Sequence, residues 1–329
     1  LKDRESVGGL NALTNFVLTS SILSDFENTN VDFDEIKSFY QALPKHLKDQ
    51  RPINIAMSTI YSRLSDYKGM VFHIEKIIKS KEFIAQDLCN YGYWRCFDKN
   101  WTQSKFLEFG KFVNDNLKEY HKNDIVPLSD KRNEKIRVGF LSADINGSHS
   151  INYFLKTVLE NYDKENFEII LFTNRLKDKK AAEQITNLAN KTIDVGKLDS
   201  LGAFNAIRKF NLDIMIDIMG YTSRNKIEFY KNRLAKKQVI WMGYCNTSGL
   251  ENMDYIMTDP NLIYKNEKNL YSEKILYLPE IWNCHCGFDF ERKENSPPFI
   301  NNKYFTFGSF NNPAKMTDNV LDCWSNILK

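Results

Sequence analysis

No stretch of this sequence stays apolar for the roughly 20 residues that a membrane-crossing helix needs, and no charged-then-apolar leader opens it. No membrane partner is expected, and the reading places the protein in the cytoplasm. Neither sign of charge dominates: 45 Lys and Arg stand against 42 Asp and Glu, a formal net charge of +3. A dedicated nucleic-acid binder needs a concentrated basic face, so no nucleic-acid partner is expected either. The six cysteines are scattered without framework spacing, which reads as reduced thiols of a cytosolic protein rather than a disulfide scaffold. Cys284, His285 and Cys286 offer at most three ligands with no second pair elsewhere, whereas a structural zinc site takes four at set spacings; no metal is expected. Asp32 and Asp34 flank Phe33 inside a helical segment and are unpersuasive as a cation site. The chain has no G-x-G-x-x-G, no G-x-x-x-x-G-K-[ST] and no G-x-S-x-G, which removes an ordinary dinucleotide site, a P-loop and a hydrolase nucleophile elbow.

What is present is apolar mass, 42% hydrophobic and 13% aromatic over 329 residues, enough for two or three compact units. Residues 1–130 read as helical. Ile36, Phe39, Tyr40 and Leu43 make one stripe; Ile74, Ile77 and Ile78 make a second; Phe106, Phe109, Val113 and Leu117 make a third. They resemble the end of a helical repeat array, though no fixed period is evident. A polar linker with Pro127 follows, and the texture then changes to short apolar runs: IRVGFLSA, FEIILFTN, LDIMIDIMG, QVIWMGY, DYIMTD, KILYLPE and YFTFGSFN. Helix-like stretches such as AAEQITNLAN and LGAFNAIRKF lie between several of them. Buried parallel strands read as near-continuous apolar runs, and their alternation with helices predicts an α/β fold with a parallel sheet. The chain starts with Leu1 rather than Met, and Leu321, Trp324 and Leu328 keep helical spacing up to the end without a stop signal; it reads as a fragment.

Ligands of such sheets bind beyond the carboxyl ends of the strands. Four strand ends carry polar or glycine-containing turns: His149 after the first run, Gly220 to Ser223 after the run ending in Met219, residues 243–249 after QVIW, and residues 310–315 after YFTFGS. Glycines let backbone approach a ligand, and amides at helix starts hold anions. Ser223 and Thr317 read equally well as helix N-caps.

The order of four blocks carries a resemblance: IRVGFLSADINGSHSINYFL, then LDIMIDIMGYTSRNKIEFYKNRLAKKQVIWMGYCNTSGLENMDYIMTDP, then YSEKILYLP, then FGSFNNPAKMTDNVLDCWSNIL. Over about 135–329 the chain resembles the catalytic region of the O-linked N-acetylglucosamine transferases of the SPINDLY type, glycosyltransferase family 41. The resemblance implies a GT-B arrangement of two Rossmann-like lobes behind tetratricopeptide-like helices. On it, residues 1–130 are the helical segment, 131–300 the first catalytic lobe and 301–329 the truncated start of the second, donor-binding lobe. It implies an inverting, metal-independent transfer of a sugar, N-acetylglucosamine in the first place, from a UDP-sugar to Ser or Thr hydroxyls. No cofactor is implied; the partners are the UDP-sugar, as co-substrate, and an acceptor protein or peptide. His149 corresponds to the family histidine beside donor and acceptor, with one extra residue between Asp144 and it and Ser150 where proline is usual. Lys315 matches the lysine at the donor diphosphate, and Asn312 the polar residue ahead of it. Thr222, Tyr244, Thr247 and Ser248 match cleft-lining turns. Met219 stands where asparagine is usual, and Cys245 and Asn246 replace Pro-Gly, which leaves a UDP-glucose or other hexose donor open. A third reading is a protein-interaction scaffold without catalysis.

Overall fold

The computed structural model describes residues 11–12, 14–19, 32–145, 149–175, 179–287 and 295–329. Residues 146–148 of the His149 motif lie outside the described residues. The chain divides into two compact units, one formed by residues 1–83 with 288–329 and the other by residues 84–287.

In the first unit, α1 (Phe33–Ala42), α2 (Lys45–Lys48), α3 (Arg51–Arg63) and α4 (Tyr67–Ser80) follow the predicted stripes. Asp32, one of the acidic residues flanking Phe33, caps α1: its carboxylate accepts the N–H groups of Asp34 and Glu35 at 3.0 Å. Ile36 and Phe39 pack with Ile53, Met57 and Ile60 in one apolar core. His73 of α4 is buried at 2% exposure, with its Nδ1 2.9 Å from the Asn54 side-chain oxygen. The C-terminal part of this unit holds α11 (Pro298–Asn302), a 3-10 turn at Pro313–Lys315 and α12 (Asp318–Ile327). The expected strand YFTFGSFN does not form. Residues 305–310 run without secondary structure, and Phe305, Phe307 and Phe310 are exposed, because a strand without a neighbour has no partners for its N–H and C=O groups. Thr317 is the N-cap of α12 by position, but its side chain makes no capping bond.

The second unit begins with α5 (Ala85–Arg95) and α6 (Gln103–Asn116), so the compact body that holds the sheet starts well ahead of the change in sequence texture near residue 130. The reason is local. α6 approaches the turn at 246–249 so closely that a Cβ on Gly249 would lie 2.0 Å from the carbonyl carbon of Gly110. Gln103 also donates to Asn246 at 2.6 Å, and Asn114 accepts the N–H of Glu251 at 3.3 Å.

Behind these helices β1 (Ile136–Leu141), β2 (Phe167–Thr173), β3 (Lys191–Asp194), β4 (Ile214–Asp217), β5 (Lys237–Ile240), β6 (Tyr255–Thr258) and β7 (Lys274–Tyr277) form one sheet in the order β3-β2-β1-β4-β5-β6-β7. Every neighbouring pair is parallel. α7 (Ile151–Asn161) connects β1 to β2, α8 (Lys179–Thr186) β2 to β3, α9 (Ser200–Arg208) β3 to β4, and α10 (Ile227–Lys231) β4 to β5. Ile151, Leu155 and Leu159 of α7 pack with Val138 and Phe140 of β1 and Ile169 and Leu171 of β2. On the alternate positions Gly139 faces Leu212, Met215 and Phe172. Both faces are thus covered, which is why the strands read as unbroken apolar runs. Strand order reverses between β1 and β4, where Leu141 pairs with Asp217. In an open α/β sheet that reversal parts the outgoing chains and leaves a crevice beyond the strand ends.

Candidate active site

A hollow of about 630 Å³ lies at that crevice. The turn after β1 supplies Asp144 and His149, the end of β2 supplies Arg175, and the turn after β4 supplies Thr222 and Arg224. Tyr93 and Trp94 of α5 form another wall, and Gly243 after β5 completes it. A larger hollow, about 740 Å³, lies at the opposite strand ends beside Arg137 and Glu168, which pair with each other at 2.8 Å. The position of the smaller hollow at the strand reversal makes it the candidate site.

The turn after β4 is anchored by Asp217. This carboxylate, 2% exposed at the end of β4, accepts the N–H of Met219 at 2.9 Å and of Gly220 at 3.1 Å. Burial pushes its carboxyl up to about 6 despite those donors. The turn it holds needs a left-handed Gly220, φ 54°, under which Tyr244 sits so tightly that a Cβ would come 2.3 Å from that of Tyr244. Thr222 closes the turn with its hydroxyl donating to the Met219 carbonyl at 2.8 Å. The Met219 sulfur accepts the Ala143 N–H at 3.2 Å and so ties the β4 turn to the β1 turn. Ser223 lines the hollow and does not cap α10, whose N-cap position is Lys226.

His149 stands half-exposed, its Nε2 3.8 Å from Asp144 Oδ2. Its Nδ1 accepts the backbone N–H of Ile151 at 3.3 Å. A ring nitrogen that accepts carries no proton, so the neutral imidazole is protonated on Nε2, the nitrogen facing Asp144. Burial raises the Asp144 carboxyl above its ordinary range, against the pull of His149 and Arg175.

His149 and Thr222 therefore meet in one hollow. Tyr244, Thr247 and Ser248 do not line it. Tyr244 is buried and stacked on Tyr221, ring centroids 4.8 Å apart. The Thr247 hydroxyl donates to Glu273 at 2.7 Å and that of Ser248 at 2.5 Å, so both are spent on a buried carboxylate that anchors the turn. The turn is polar and strand-terminal as expected, but its hydroxyls face inward because Glu273, 3% exposed, needs donors. Lys315 and Asn312 belong to the other compact unit, both exposed, with Lys315 Nζ donating to Asn311 at 3.3 Å. Sequence reasoning missed Tyr93, Trp94, Arg175 and Arg224. Of these only Arg175 carried a signal, as the polar residue directly after the FEIILFTN run. His285 of the Cys-His-Cys cluster lies flat on Tyr153, ring centroids 5.3 Å apart, and among the described residues no group of three ligands is placed to hold a metal ion. Among the described residues no helix is long and apolar enough to cross a membrane.

The profile of Glycosyl transferase family 41 matches residues 109–287, more than half of the chain. The chain belongs to glycosyltransferase family 41. Among curated relatives, it is 32% identical over 200 residues to a protein of Petunia hybrida named probable UDP-N-acetylglucosamine–peptide N-acetylglucosaminyltransferase SPINDLY, covering 58% of this chain and 21% of the relative. It is 28% identical over 154 residues to the UDP-N-acetylglucosamine–peptide N-acetylglucosaminyltransferase of Caenorhabditis elegans, covering 46% of this chain and 13% of the relative. The chain thus spans about a fifth of the first of these relatives. Among solved structures, a mutant O-GlcNAc transferase of Thermobaculum terrenum superposes with a TM-score of 0.74 at 15% identity, covering 99% of this chain and 61% of that one. The family 41 chain therefore has the expected α/β, GT-B-like fold, with helices ahead of a Rossmann-like parallel sheet.

Proposed function

We propose that this family 41 chain is part of an inverting, metal-independent glycosyltransferase that moves a sugar from a UDP-sugar to Ser or Thr hydroxyls of proteins. The observation that carries the reading is the meeting of His149 and Thr222 in the hollow at the strand reversal. Residues 131–300 are then the first catalytic lobe, and 301–329 the start of the donor-binding lobe. As the acceptor oxygen bonds the anomeric carbon, the bond to the diphosphate breaks on the opposite face, the hydroxyl proton passes to water, and negative charge grows on the phosphate oxygens. Lys315, a compact ammonium beside Asn312, is the group assigned to that charge. The Nε2–H arrangement of His149 supports a role in orienting the acceptor hydroxyl, since a base needs its accepting nitrogen clear of backbone.

In the protein at its native length, Lys315→Ala is expected to lower turnover about tenfold or more; unchanged turnover takes Lys315 away from the diphosphate. The reading as a whole is tested by incubation with a panel of UDP-sugars and Ser/Thr peptides. Transfer that persists in EDTA and yields a product of inverted anomeric configuration supports it, and no transfer from any donor overturns it. A second donor reading has its own support. Met219 stands where the resemblance has asparagine, and its sulfur braces the β4 turn against the Ala143 N–H, so UDP-glucose belongs in the panel.

A further inference from the structure

The hollow holds more positive charge than the proposed chemistry uses. Among its lining residues, Arg175 and Arg224 face a single acid, Asp144, which His149 already accompanies. Among the described residues neither guanidinium is engaged in a carboxylate ion pair. Arg175 issues from the end of β2, where its N–H is tied to the Thr173 hydroxyl at 3.2 Å.

Arg224 is held more firmly. It has φ 63°, a left-handed conformation that a long side chain adopts only when its surroundings impose it. They do so from two sides: its N–H donates to the Gln86 side chain of α5 at 2.8 Å, and its carbonyl accepts from the Asn174 side chain at 3.1 Å. Two arginines are thus presented from different strand ends to one volume, one of them on a backbone fixed at some conformational cost. Tyr93 and Trp94 of α5 line the same hollow and bring aromatic surface to it.

We infer that Arg175 and Arg224 form a carboxylate subsite that selects acceptor segments carrying an acidic side chain next to the modified hydroxyl. The inference rests on the reading that the acceptor reaches this hollow, and it extends that reading from any Ser or Thr to a charge-selected one. A guanidinium fork matches the two oxygens of a carboxylate, and two forks from separate turns fix its position as well as its charge. The donor diphosphate is the competing source of anionic oxygens, but the proposed mechanism assigns it to Lys315 and Asn312, so the charge here serves the other substrate.

The test compares a fluorescent serine peptide flanked by glutamates with its glutamine counterpart, and with UDP, for binding to the protein at its native length and to an Arg175→Gln, Arg224→Asn double variant. Asparagine tolerates the left-handed backbone at position 224, and unchanged circular dichroism establishes that the variant is folded. The glutamate peptide is expected to bind the parent about tenfold more tightly than the glutamine peptide, the difference to vanish in the variant, and UDP affinity to stay the same. Equal binding of the two peptides to the parent overturns the proposal. So does a loss of UDP affinity in the variant with the peptide preference intact, which would move the arginines to the donor. Sugar transfer by the parent is measured in parallel, so that absent transfer, which sinks the glycosyltransferase reading, is distinguished from transfer without charge preference, which sinks only this inference.

Discussion

Gly249→Ala is expected to lower the stability of the sheet-containing unit by about 3 kcal/mol or more. Two costs add. Gly249 has φ 71°, where an L side chain costs roughly 1–2 kcal/mol. Its added Cβ would also lie 2.0 Å from the carbonyl carbon of Gly110 and 2.2 Å from its Cα, a clash of backbone with side chain that no rotamer relieves. Overpacking of that kind costs roughly 1–3 kcal/mol. The neighbouring residues cannot yield cheaply, because Ser248 and Thr247 are bonded to the buried Glu273 and Tyr221 donates to the Ser248 carbonyl at 2.6 Å. Urea unfolding followed by tryptophan fluorescence reads mainly this unit, which holds Trp94, Trp101, Trp241 and Trp282 of the five tryptophans. An unchanged midpoint would show that α6 does not dock through this pair of glycines.

Acidification is expected to weaken the helical unit through His73. Tyr40, Tyr61 and Phe72 surround its ring, with centroids 5.1, 5.4 and 5.2 Å away. Burial, with Lys76 adding its charge, pushes the imidazole from 6.5 down to about 4. The Asn54 amide nitrogen donates to the carbonyls of Lys48 and Gln50 at 2.8 and 3.0 Å, so its oxygen is the acceptor and His73 Nδ1 carries the proton of a neutral ring. The unfolded chain binds its proton at higher pH than the folded one. Stability is therefore full above about 6.5 and falls as pH drops through the window to about 4, by roughly 3 kcal/mol over the whole of it. His73→Gln keeps an N–H donor for Asn54 without the titration, and its unfolding midpoint should vary less across that window. Equal slopes for parent and variant would remove His73 as the cause.

Much of the fold was legible because burial on both faces of a parallel sheet leaves a signature in composition. IRVGFL and FEIILFT are strands because every alternate residue meets a helix layer, and the amphipathic stripes through Ile36 and Phe106 are helices for the matching reason. β3 escaped notice because KTID is short, polar and half-exposed at the sheet edge, where no apolar run is needed. YFTFGSFN misled in the other direction, since apolarity makes a strand only where a neighbour supplies hydrogen bonds. At the site, His149 and Thr222 could be placed by the rule that strand ends carry function. Thr247 and Ser248 obeyed the same rule and point inward, because the partner that turns them, Glu273, comes from a later stretch of chain. The wall made by Tyr93 and Trp94 follows from close glycine contacts across distant parts of the chain, which no local pattern announces.

The reversal of strand order between β1 and β4 also bears on how such a site diversifies. Each rim of the hollow belongs to a separate crossover, so an inserted residue or an exchanged side chain in one rim leaves the register of the opposite rim untouched. A scaffold with that independence lets specificity drift by single loops while the strands beneath keep their pairing.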